Sequence, residues 1–149
     1  MRGLLADVNV AGHLRHLRRL LEALDLWSIL AAHDIEFATF TDAGLPLDMD
    51  DRSVWNHCQQ VGWVLFTDNR NQDGENSLQK VIIDSWHNGM LPILTVSNKQ
   101  RFAGGGEYAD RVAADVAEVM YGMRQGEYRN EPRIYVPRRG VNDILQHST

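Results

Sequence analysis

Five short apolar runs separated by stretches of helical periodicity constrain this chain more than any other feature. GLLADVNV begins as a buried strand ending near Asp7, and IEFATF (35 to 40), WVLFT (63 to 67), ILTVS (93 to 97) and RIYVP (133 to 137) supply four more. Between the first two runs, Leu14, Leu17, Leu21 and Leu24 recur at helical spacing, and LWSIL extends that region. A second helix is expected to start at or just after Asp50 or Asp51, with Val54, Trp55, Cys58 and Val61 on its apolar face and Gly62 as its stop. A third runs from Ser77 to about Asn88, built on Leu78, Val81 and Ile82 and ended by Gly89. The glycine-rich AGGGEY is expected to form a mobile loop before a helix from about Ala109 to Arg124. Such alternation predicts an α/β fold, a three-layer αβα sandwich around a mainly parallel sheet of about five strands with right-handed crossovers.

With no repeat, low-complexity run or linker, the chain reads as a single domain over 1 to 149, with a core to about 137 and a polar tail from 138. Its 149 residues, 44% apolar and 23% charged, are enough to bury a proper core. No stretch is long and apolar enough for a bilayer span, and Asp7 interrupts the N-terminus too early for a signal-peptide core. The single cysteine, Cys58, excludes an internal disulfide and a cysteine-built zinc site. A soluble cytoplasmic protein is the expectation. The net charge of −5 argues against passive nucleic-acid binding but less against a nuclease, whose catalytic acids are partly cancelled by metal ions.

In parallel sheets, sites form outside the carboxyl ends of the strands. Asp7 ends the first strand, Asp68 ends the third, and Asp51 opens the helix that leads into the third, so all three are expected at one edge. Nothing in the local sequence asks for Asp7 on an apolar strand, where an unpaired carboxylate is costly. Acids converging without a matching lysine repel one another, and Mg²⁺ or Mn²⁺ relieves this through oxygen ligands. Such a site suits phosphodiester cleavage, with metal activating water and stabilising phosphate charge. Asp51, Asp73 and Glu75 also have plainer readings, and Asp7 is the least easily dismissed. Asp51 is a natural helix cap, and Asp73 and Glu75 flank a turn signal. Asn9 either positions water or caps the first helix, the cap being preferred.

The motifs LLADVNV, AGLPLDMDDRSVW and VLFTDNRNQDGENSL together resemble the PIN-like nuclease superfamily, in particular its small single-domain members, over nearly the whole chain. That resemblance implies a metal-dependent endoribonuclease of the kind found in toxins of toxin–antitoxin pairs and in RNA-processing proteins. The family's Asp at the end of the first strand falls on Asp7, its acid on a central helix on Asp51, and its strand-ending Thr with the following Asp on Thr67 and Asp68. The implied metal ligands are Asp7, Asp51, Asp68 and Asp73, with Asn9, Thr67, Asn69 and Asn71 in support. The chain departs from the family's Thr-x-Asp-x-Asp pattern: Asn69 and Asn71 hold the two acid positions, while Asp68 and Asp73 lie to either side. Either the loop re-registers so that Asp68 and Asp73 serve, or cleavage is weakened or lost in this branch. Arg70 in the loop and Arg15 on the HLRHLRR face are the candidates for contacting RNA phosphate. RNA is the implied substrate, and an antitoxin-type protein partner and a homodimer are both compatible.

Two other functions compete with the nuclease. A non-catalytic PIN-like module would bind RNA or protein without turnover. A receiver-like phosphoacceptor domain would use Asp68 as phosphorylation site and Ser97 as sensor, but RIYVP lacks the expected lysine. His13 and His16 lack an HExxH context and read as part of a basic face. Cys58 reads as a buried thiol, and Trp55, Trp63 and Trp86 as core.

Overall fold

The computed structural model describes residues 1–68 and 77–138. Five strands, β1 (Gly3–Ala6), β2 (Glu36–Thr39), β3 (Trp63–Thr67), β4 (Ile93–Val96) and β5 (Arg133–Val136), form one sheet in the order β2-β1-β3-β4-β5. Every neighbouring pair is parallel. Around it lie α1 (Ala11–Ala23), α2 (Trp27–Ala32), α3 (Asp51–Val61), α4 (Leu78–Ser85), α5 (Lys99–Ala103) and α6 (Gly106–Arg124). The expected αβα sandwich is the fold.

Strand side chains alternate between two apolar layers, as the pleat requires. Leu4, Ala6, Val64, Phe66, Leu94, Val96, Ile134 and Val136 meet α1, α2, α5 and α6 on one face. Leu5, Ala38, Trp63, Leu65 and Ile93 meet α3 and α4 on the other. Both strand faces are buried, so the strands read as continuous apolar runs rather than alternating ones. At Gly3 a Cβ would collide with the Glu36 carbonyl of β2, and only glycine allows the two strands to meet there.

This layering corrects one expectation. The connections β1–β2 and β4–β5 both pass over the α1/α6 face, yet they move across the sheet in opposite directions. One must therefore have the opposite hand, and β4–β5 is the connection that differs from the other three. Uniform right-handedness, the strong rule for such crossovers, does not hold. Helix α6 has a large apolar face, Val112, Ala113, Val116, Val119, Met120 and Met123, and buries it beside α1.

Other differences are local. Asp25, at φ 59°, breaks the first helical region into α1 and α2, and leaves Leu24 37% exposed rather than in the core. Helix α4 stops at Ser85 because Trp86 turns extended and packs toward Trp55, ring centroids 6.4 Å apart. The five-residue α5 is too short to show periodicity; the Asn98 side chain caps it through the Arg101 N–H at 3.0 Å, and Phe102 anchors it. The glycine stretch is not wholly loop, since α6 begins inside it at Gly106.

Candidate functional site

Parallel strands send all their carboxyl ends to one edge, and the sheet order reverses between β1 and β3, where such folds open a crevice. The chain leaving β1 turns to the α1 face, that leaving β3 passes to α4 on the opposite face, and that leaving β4 returns to the α1 face. The end of β3 is thus flanked on both sides by segments departing the other way.

Asp7 follows β1 directly. Its backbone N–H donates to the Phe66 carbonyl at 2.9 Å, continuing the β1–β3 pairing. Its Oδ1 accepts the Val8 N–H at 2.7 Å and caps the 3₁₀ turn Val8–Val10, while its Oδ2 accepts the Thr67 hydroxyl at 2.8 Å. Local structure therefore does ask for Asp7. Asn9 does not cap the first helix: it lies within the 3₁₀ turn that Asp7 caps, and Val10 holds the N-cap position of α1 without a side-chain cap. Thr67 is fully buried, so its hydroxyl requires a partner and the Asp7 carboxylate is one.

Asp68 follows Thr67, and its Oδ2 lies 3.2 Å from Nζ of Lys99, the first residue of α5. The same ammonium donates to the Asn9 carbonyl at 3.4 Å. Three strand ends are thereby tied together: β1 to β3 through Asp7 and Thr67, β3 to β4 through Asp68 and Lys99, and β4 back to β1 through Lys99 and Asn9. Sequence reasoning missed Lys99 and assumed acids without a matching lysine; the lysine comes from the end of β4. The strand-end rule that picked out Asp7 and Asp68 applies equally to SNK at 97 to 99, which was the available signal.

His13 stands near this cluster. Burial holds its imidazole below the usual pKa; the charges of Lys99 and His16 add to that, and Asp68 opposes it. His16 does not face outward as part of a basic surface, because its Nε2 is 2.9 Å from the Phe102 carbonyl. Both rings lie against Phe102, with centroids at 6.2 Å for His13 and 4.9 Å for His16.

The remaining candidates are distributed. Asp51 is the first residue of α3, on the opposite face of the sheet from α1 and α5, and Asp50 precedes it as the cap. Hydrogen bonding from the Ser53 side chain keeps the Asp50 carboxyl below the ordinary carboxylate range. Arg15 is exposed on α1 and borders a groove of about 770 Å³ along the free edge of β2, together with Arg18, Trp27, Phe37 and Thr39. Asn69, Arg70, Asn71 and Asp73 lie outside the described residues. Among the described residues, no group of three or more His, Cys, Asp or Glu side chains could hold a metal ion, so Asp7, Asp51 and Asp68 do not form one. Cys58 is buried, as expected, and burial, reinforced by the Asp7 charge, pushes its thiol up to about 12.

By its chemistry, the pair of carboxylates at this edge is the kind of donor a small divalent ion takes. Mg²⁺ takes one or two carboxylates and fills its remaining positions with water. Asp7 and Asp68 are two carboxylates at adjacent strand ends. Each Asp7 oxygen accepts one protein hydrogen bond and has a further lone pair.

Comparison with protein families, curated proteins and solved structures finds no match to this chain. Among the described residues, no helix is long and apolar enough to cross a membrane.

Proposed function

We propose that this protein is a metal-dependent endoribonuclease of the PIN-like type, with Asp7 and Asp68 holding Mg²⁺ or Mn²⁺ at the carboxyl edge of the sheet. The observation that carries this reading is the Asp7–Thr67 hydrogen bond of 2.8 Å, made where the strand order reverses, with Asp68 adjacent. Two donors, the Val8 N–H and the Thr67 hydroxyl, fix the Asp7 carboxylate in one orientation. Preorganisation of this kind is what a charge-stabilising site requires. The chemistry supplied by the ion when bound is activation of water and neutralisation of phosphate charge. The family pattern adds Asp73 as a further acid, Asn69 and Asn71 as support, and Arg70 and Arg15 as contacts to the RNA backbone; Asp51 is left outside the metal set, since it does not group with Asp7 and Asp68. An antitoxin-type partner and a homodimer belong to the same reading.

The test is cleavage of labelled single-stranded RNA with and without Mn²⁺, beside Asp7→Asn. Cuts that need Mn²⁺ and vanish in the variant are expected. A folded protein that leaves a broad RNA panel intact would overturn the catalytic reading.

A second reading has an observation of its own. Lys99 already neutralises Asp68 without a metal, at 3.2 Å. That favours a non-catalytic PIN-like module that binds RNA or protein, for which RNA retention without turnover is the expected result.

A further inference from the structure

The Asp68–Lys99 pair is the point at which the metal-dependent reading meets an obstacle. A carboxylate that already faces an ammonium at 3.2 Å cannot also take a divalent ion without bringing two cations together on one group. Lys99 is suited to yield. Its charge is carried on a flexible four-carbon stem, its side chain is 35% exposed, and the Asn9 carbonyl, 3.4 Å from Nζ, is a second acceptor that does not depend on Asp68.

We infer that Lys99 is a displaceable counter-cation of Asp68, which a divalent metal must dislodge to bind, so that this lysine sets the metal concentration at which the site fills. The inference rests on the metal-dependent reading and deepens it. Without metal, Lys99 ties the end of β3 to those of β4 and β1 and keeps Asp68 compensated. With metal, the ammonium retires toward the Asn9 carbonyl and is free to meet an anion such as RNA phosphate. The exchange replaces one ionic contact of Asp68 with another; no covalent bond of the protein is made or broken.

Partly exposed ion pairs contribute modestly, so removing the competitor should tighten metal binding about three- to fivefold. The experiment is Mn²⁺ titration of the full chain, followed by the electron-spin resonance of free Mn²⁺, for wild type, Lys99→Met, Lys99→Arg and Lys80→Met. Lys80 pairs with Asp84 on α4 at 3.1 Å, so Lys80→Met makes the same change in net charge away from the pair. Tighter binding in Lys99→Met alone, with Lys99→Arg and Lys80→Met like wild type, is the expected result. In an Asp68→Asn background, Lys99→Met should leave Mn²⁺ affinity unchanged. Equal or weaker binding by Lys99→Met, with wild type still binding Mn²⁺, overturns the inference and leaves the metal-dependent reading standing. Absence of Mn²⁺ binding in every form overturns both.

Discussion

Asp7 and Asp68 sit at the ends of adjacent parallel strands, yet the fold treats them differently. Asp7 is held by dipoles, a backbone N–H and a buried hydroxyl, with no cation against it in either contact. Asp68 is held by a charge, an ammonium from the next strand's end. Hydrogen bonds to a carboxylate fix its direction and leave its charge in place, whereas an ion pair cancels charge and is exchanged for another cation. The first arrangement builds a fixed ligand and the second a replaceable one. Cys58, on the opposite face, registers the first charge, since Asp7 adds to the burial that raises its thiol. His13 registers both sides of the second, with Lys99 lowering its pKa and Asp68 raising it.

Substitutions at both acids and at their partners test the contrast. Asp7→Ala removes the cap of the 3₁₀ turn and takes an acceptor from a fully buried hydroxyl, and should cost about 1–3 kcal/mol in urea unfolding. Thr67→Val removes only the donor and should cost about 1 kcal/mol; a neutral Asp7→Ala would mean that the two dipolar contacts do not hold this edge. Asp68→Asn and Lys99→Met, combined in a double-mutant cycle, should couple by less than about 1 kcal/mol, and added salt should shrink the coupling further. A larger, salt-insensitive coupling would place Asp68 in the same class as Asp7. Cys58 has an effect only in the alkaline range. Its folded pKa, about 12, lies above the ordinary 9.0, so the stability due to the neutral thiol is full below pH 9.0 and is lost as the pH rises toward the folded value. Wild type should therefore lose more stability across that alkaline range than Cys58→Ala. Asp7→Asn should reduce the difference, because the second cause of the shift is then gone.

Much of the architecture was legible in the chain because it follows from short-range pattern. Val54, Trp55 and Cys58 face the core from α3 as their spacing requires, whereas Val61, expected on the same face, is exposed at the helix end, and Gly62 ends that helix. The strand-end rule leads to Asp7 and Asp68, and the family resemblance adds Thr67. What was not legible depended on partners distant in sequence. Lys99 meets Asp68 only because β4 lies next to β3, and Thr67 reaches Asp7 across sixty residues. The role of Asn9 was misread for a different reason: a 3₁₀ turn capped by Asp7 precedes α1 and takes in Asn9, and Val10 stands at the N-cap position of the helix without a side-chain cap.

By itself, the sequence determined the α/β class, the five strands and the placement of Asp7 and Asp68 at strand ends, because hydrophobic periodicity and strand termini are local properties of a chain. Tertiary structure alone decided the order β2-β1-β3-β4-β5, the hand of the β4–β5 connection and the division of the two acids between dipoles and an ammonium. Those depend on which surfaces are buried together. The apolar face of α6 closes against α1, and the energy of that burial belongs to both helices at once rather than to either segment.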